Sequence, residues 1–300
     1  MKISDRTTRG IEWPTLALIV LCYALWAAGL FIFADISLWV AVPLTAVASA
    51  LHSSLTHEII HGHPFKSARL NAALVALPLS FFIPFGRFRD QHLAHHQDEI
   101  LTDPYDDPES NYFDPAVWAE LPATARVILR FNNTLAGRMI LGPIVGQFLF
   151  MLNDLRAIQS GDRAALRSWL VHLPLAAVVL LIVLGALMPV WAWLVSVWCG
   201  LALLKIRTFL EHRAHEKARA RTVVIEDQGP LALLFLNNNF HVVHHMHPRT
   251  PWYRLPALYR ANRAHYLGRN DGYRYASYAE VFRQHFLKAK DPVPHPLYRH

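Results

Sequence analysis

Long apolar blocks alternate along this 300-residue chain with blocks rich in histidine, acids and arginine. Pro14 to Ala34 carries no charge. Asp35-Ile36 interrupts the run, and Ser37 to Thr56 is again free of Asp, Glu, Lys and Arg. Ser168 to Leu204 is uncharged over roughly twice the length of one crossing, with a turn offered by Gly185 to Pro189. A helix needs about 20 apolar residues to cross a bilayer. The pattern therefore predicts four spans in two hairpins, over about 13–34, 37–56, 169–187 and 190–208. Two further stretches, 70–86 with its Pro78 and Pro84 and 139–152, are too short or broken to cross and read as interfacial segments. The first run is too long for a signal-peptide core and is followed at once by another span, so it reads as a span.

Charge gives the spans a side. Lys2, Arg6 and Arg9 precede the first, the two short hairpin loops hold no Lys or Arg, and nearly all remaining basic residues lie in 57–168 and after 208. The positive-inside rule then predicts that the N-terminus, the central segment and the C-terminal part are cytoplasmic, at an inner or plasma membrane. Apolar residues make up 53% of the chain and charged residues only 17%, which excludes disorder and argues against an ordinary soluble enzyme. The net charge of +7 suits a surface facing anionic headgroups better than a nucleic acid in a chain this apolar. Cys22 and Cys199 sit inside apolar runs and read as small buried hydrophobes.

Histidine changes the picture most: the chain holds 18, and they cluster. His57 and His61 are spaced i, i+4 at the end of the second span and share a helical face. His92, His95 and His96 follow the first interfacial segment with an i, i+3, i+4 spacing, which His241, His244 and His245 repeat. His212 lies just past the fourth span. His57-Glu58-Ile-Ile-His61 alone also matches the zinc-protease signature, with Glu58 as general base. That reading needs one zinc and leaves two clusters unexplained, while a transporter would favour ligands near mid-span. Eight or nine imidazoles on one side of a membrane are too many for a single tetrahedral zinc and suit two metals. Nitrogen ligands with open positions favour iron.

Taken together, His57-x-x-x-His61, His92-x-x-His95-His96 and His241-x-x-His244-His245 resemble the three histidine boxes of the membrane fatty acid desaturase superfamily. That superfamily also includes acyl hydroxylases, alkane hydroxylases and carotenoid ketolases. The acidic stretch from Asp98 through Asp103-Pro104 to Asp106-Asp107-Pro108-Glu109 is similar to the Asp-Pro segment of desaturases. The resemblance implies an all-α integral membrane protein, one domain over 1–300, with four spans and a cytosolic helical cap formed by 57–168 and 209–300. The cap would hold a non-haem di-iron site that uses dioxygen and external electrons. It assigns metal-ligand roles to His57, His61, His92, His95, His96, His212, His241, His244 and His245. The expected reaction is desaturation of a fatty acyl chain or lipid, with hydroxylation or ketolation of a lipid, alkane or carotenoid as the alternative.

Neutral imidazoles do not compensate two buried cations, and metal-bound histidines give their free N–H to carboxylates. Glu58, Asp90, Asp98, Glu99, Asp103, Asp106 and Glu211 are expected to supply these supports, and Asn237 to hold a water or a ring. His52 could compete as an inner ligand, though a buried helical face of the span is its expected place; His63 and His247 are expected not to be ligands, and His172 to bond a neighbouring helix; His215, His265, His285, His295 and His300 read as surface. No Gly-rich dinucleotide fingerprint, haem site or iron–sulfur ligand set is present, so an external electron donor such as a ferredoxin is expected.

Overall fold

The computed structural model describes residues 10–97 and 99–298. The basic residues of the N-terminal tail, Asp98 and His300 lie outside this range. The chain is mostly helical, and among the described residues four helices are long and apolar enough to cross a membrane: Trp13–Ile36, Leu38–Ile60, Arg163–Leu184 and Val190–Thr208. It divides into two compact units, Met1–Arg89 with Pro143–Leu204 and Asp90–Gly142 with Lys205–His300.

The first unit contains the apolar helices. Small side chains let them approach closely, as membrane helices require. A Cβ on Gly29 would stand 2.2 Å from Thr45 Oγ1, and one on Gly200 would stand 2.9 Å from the Ala46 carbonyl oxygen. The second long helix is therefore enclosed by its neighbours, with Ala41, Ala46, Ala48, Ser49 and Ala50 buried. Large apolar side chains such as Trp39, Leu181 and Trp191 point outward instead, the inverse of a soluble fold. The second helix runs on to Ile60, so His57 is helical and His61 is its C-cap. The third begins at Arg163, ahead of the uncharged stretch, because the Asp162 carboxylate accepts from the Ala164 and Ala165 N–H groups at 2.9 Å.

The stretch 70–86 forms only a short helix, Ala68–Leu74, before an irregular turn. Side chains satisfy its exposed carbonyls. His172 Nε2 donates to the Phe81 oxygen at 2.9 Å, Gln147 to the Phe82 oxygen at 3.1 Å, and the Tyr23 hydroxyl to the Leu74 oxygen at 3.0 Å. Irregular backbone in apolar surroundings needs such partners. The stretch around 139–152 is longer than expected, a helix over Gly142–Gln159. Its buried Asp154 accepts from Arg87 at 2.7 Å through one oxygen and from Trp169 Nε1 at 2.7 Å through the other.

The second unit is built of short helices around one small parallel strand pair, Val224–Ile225 with Arg274–Tyr275. Val224, Phe240, Val242, Val243, Leu255, Tyr259 and Tyr266 form a buried core. The helix His241–Met246 anchors to that core through Val242 and Val243, which frees its histidine positions for a different face.

Candidate metal centre

Seven histidines of the second unit form two groups of ligand-type nitrogens: His92, His96 and His244, and His95, His212, His241 and His245. The helix Phe85–His95 carries His92 and His95, with His96 in the turn just beyond. His212 is not helical. The fourth long helix stops at Thr208, and His212 lies in an extended segment that bridges antiparallel to Thr222. Lys290 donates to its backbone carbonyl.

Hydrogen bonds set the tautomer of three rings. His95 Nδ1 donates to Asp107 Oδ1 at 2.7 Å, His92 Nδ1 to Glu109 Oε1 at 3.0 Å, and His241 Nδ1 to Asn238 Oδ1 at 3.1 Å. A proton on Nδ1 leaves the Nε2 lone pair of a neutral ring bare. Those lone pairs converge. The Nε2 atoms of His95 and His241 lie 2.8 and 3.1 Å from His212 Nε2. His96 Nε2 lies 3.0 Å from His92 Nε2 and 3.2 Å from His244 Nε2. Nitrogens this close share a ring proton, or, once the rings turn bare lone pairs to the pocket, repel one another unless a cation stands among them. An all-imidazole donor set with Nδ1–H turned to carboxylates fits a transition metal.

The electrostatics agree. Burial opposes charge on His95, but the Glu109, Asp107 and Glu211 carboxylates hold its pKa up at about 9. Burial and then the neighbouring positive charges, chiefly His95 and His245, push His212 well below its ordinary value. His241 is lowered likewise, by burial and then by His245 and His212. For Glu109, burial raises the pKa, but the charges of His95 and His92 outweigh it and bring the carboxyl well below its usual range. Burial thus favours the neutral form at His212 and His241, while the carboxylates around His95 favour positive charge in the pocket.

The supports partly differ from expectation. Asp107 and Glu109, rather than Asp103, meet the rings. Asp103 Oδ1 instead accepts from the Tyr105 and Asp106 N–H groups at 2.8 and 2.9 Å, closing a local turn. Asp107 organises the loop around itself, accepting from Thr102 N at 2.9 Å and Glu109 N at 3.0 Å. Asn238, rather than Asn237, holds a ring. Leu236 and Asn237 take left-handed backbone conformations, and Asn237 turns away to donate to the Trp252 carbonyl at 3.2 Å. Glu211 accepts from Asn238 Nδ2 at 3.0 Å and lies 3.1 Å from Arg207 Nε and 3.8 Å from His241 Nδ1. The acidic Asp-Pro segment was the available signal for Asp107 and Glu109. His295 is buried beside Thr102 Oγ1 at 3.1 Å, so its expected surface position is corrected.

In the first unit, His57 and His61 place their ring centroids 5.0 Å apart at the end of the second long helix. Glu58 is buried, with its Oε1 3.8 Å from His63 Nε2.

A sequence model of the fatty acid desaturase family matches residues 36–277 of the chain. A beta-carotene ketolase of Paracoccus sp. (strain N81106 / MBIC 01143) is 28% identical over 227 residues, covering 73% of this chain and 74% of that protein. A beta-carotene ketolase of Paracoccus sp. (strain PC1) is 26% identical over 229 residues, with the same coverage.

Proposed function

The chain belongs to the fatty acid desaturase family, a family of membrane di-iron enzymes, and from that premise we propose that it inserts oxygen into a long apolar lipid, with a carotenoid-like polyene as first choice. The observation that carries this choice is the pair of ketolase relatives, each aligned over 73% of the chain. The family's own description favours a second reading, desaturation of an acyl chain. Both reactions remove hydrogen from an unactivated C–H bond. They part according to whether oxygen or a second hydrogen abstraction follows, a matter of substrate placement on the ångström scale.

In this reading His92, His96 and His244 hold one iron, and the family resemblance adds His57 and His61 to the ligand set. His95, His212, His241 and His245 hold the other. Iron, once bound, supplies activation of dioxygen, which no side chain can perform. Asp107, Glu109 and Asn238 keep the Nδ1 protons of His95, His92 and His241 in place, so that each Nε2 lone pair faces the metal. Asp107, Glu109 and Glu211 contribute the negative charge that neutral rings lack. Overall, each oxygen insertion consumes one O2, two electrons and two protons and releases one water. A second insertion at the same carbon, followed by loss of water, yields a ketone.

The electrons come from an external carrier such as a ferredoxin. Lys and Arg outnumber acids by 14 to 7 after residue 210, which supports docking of an acidic donor. The same reading makes 1–300 one domain, with the N-terminus, a helical cap and the C-terminus on the cytoplasmic side of an inner or plasma membrane. Expression in a carotenoid-producing host, followed by lipid mass spectrometry, tests the reaction. A carotenoid in which oxygen replaces two hydrogens supports ketolation. An acyl lipid lighter by two hydrogens, with carotenoids unchanged, replaces it by desaturation.

A further inference from the structure

The first unit encloses another group of ligand-type side chains. Glu12, Glu58 and His63 are each buried, and one ligand atom from each lies within 4.8 Å of the others. Glu12 immediately precedes the first long helix, and Glu58 follows His57 on the second. A helix continuing past His61 would carry His63 elsewhere. Instead the helix ends and Gly62 turns the chain with a φ of 99°, a conformation in which glycine is favoured. Backbone joins the same two segments, because Glu12 N donates to the Pro64 carbonyl at 3.3 Å.

The two nitrogens of His63 have different surroundings. Nδ1 donates to Glu12 Oε1 at 2.8 Å. An ionised carboxylate only accepts, so this bond places a proton on Nδ1, and in the neutral ring the lone pair is then on Nε2. Nε2 makes no hydrogen bond among the described residues, although His63 is only 5% exposed. It faces Glu58 Oε1 across 3.8 Å, beyond hydrogen-bond reach. Two ligand atoms about 2.0–2.1 Å from one tetrahedral cation stand roughly 3.4 Å apart. The gap is too wide for a shared proton and close to the width that a cation spans. A carboxylate on the far nitrogen of a metal-bound histidine fixes the ring in the binding tautomer, and Glu12 is placed to do so.

We propose that Glu12, Glu58 and His63 form a binding site for one zinc ion, separate from the histidine groups of the second unit. His63 Nε2 and the Glu58 carboxylate bind the ion, Glu12 orients the ring and balances charge, and water completes the coordination. One imidazole with carboxylate oxygens is a ligand set that zinc accepts. The ion would tie the start of the first long helix to the turn that follows the second.

The test uses the full-length protein in detergent, loaded with iron and then dialysed against zinc alone. Zinc and iron per chain are measured by mass spectrometry. The wild type is expected to retain one zinc that Glu12→Gln and His63→Asn each lose, with iron content unchanged. X-ray absorption at the zinc edge of the wild type supplies a second readout that needs no variant. It should show oxygen ligands with a single imidazole. Equal zinc retention in wild type and variants, absence of retained zinc, or a shell of several imidazoles would overturn the site. Iron content, read in the same samples, reports separately on the histidine groups.

Discussion

Replacing Asp107 tests how the pocket would hold a metal. The Asp107 carboxylate accepts the His95 Nδ1 proton at 2.7 Å, and the two side chains are 1% and 2% exposed. A hydrogen bond to a charged group contributes about 1.5–3 kcal/mol, and a charged acceptor is roughly twice as strong as a neutral one. Asp107→Asn keeps the shape and one accepting oxygen but loses the charge, so about half of that contribution should go, on the order of 1 kcal/mol. Asp107→Ala loses the whole contact and frees the His95 ring to rotate. Supports of this kind typically cost about 10–100-fold in metal affinity or activity when removed. Expected losses are therefore several-fold in iron affinity for Asp107→Asn and up to about 100-fold for Asp107→Ala. Iron retained against a graded chelator measures the affinity, and thermal unfolding of the metal-free proteins controls for damage to the loop. Asp103→Asn is the matched control, because Asp103 caps a turn and meets no histidine ring in the described contacts. If Asp107→Ala and Asp103→Asn retained iron equally while His95→Ala lost it, the orienting role of Asp107 would be refuted.

Three further outcomes follow from the geometry. His244→Ala should abolish oxidised product and reduce bound iron, whereas His215→Ala, on a ring paired with Asp271 at 3.7 Å, should alter neither; metal analysis and lipid profiling decide this. Asp154→Ala leaves the partly buried Arg87 with only the more distant Asp162 carboxylate at 3.8 Å and Trp169 Nε1 without its acceptor, and should destabilise the protein by about 1–3 kcal/mol, whereas Arg87→Met with Asp154→Leu should recover most of the loss in a denaturant titration. Gly200→Val drives a Cβ against the Ala46 carbonyl at 2.9 Å and should cost about 1–3 kcal/mol, read as a lower unfolding temperature; an unchanged temperature would contradict the close helix approach.

The number of apolar helices and the histidine pattern were both legible in the sequence, for different reasons. A crossing helix satisfies its own backbone, so length and absence of charge nearly suffice to find it. The histidine spacings are local, and i, i+3 and i+4 positions share a helix face wherever that helix lies. Helix ends were less legible. The third helix gained its first turn from the Asp162 cap, and the second ran four residues beyond the apolar stretch to Ile60.

The partners of the rings depended on tertiary structure. Asp107 and Glu109 reach His95 and His92 because a loop folds around Asp107, with Thr102 in a left-handed conformation. Asn238 replaces Asn237 because backbone reversal at Leu236 and Asn237 changes which side chain faces His241. His63, set aside by helical periodicity, meets Glu12 because Gly62 ends the helix and turns the chain back. Sequence by itself determined the helical class, the apolar spans and the imidazole donors, since each depends on composition or on spacing within one helix. Tertiary structure alone decided which carboxylate or amide orients His92, His95 and His241, because those contacts depend on loops whose dihedrals no local pattern specifies.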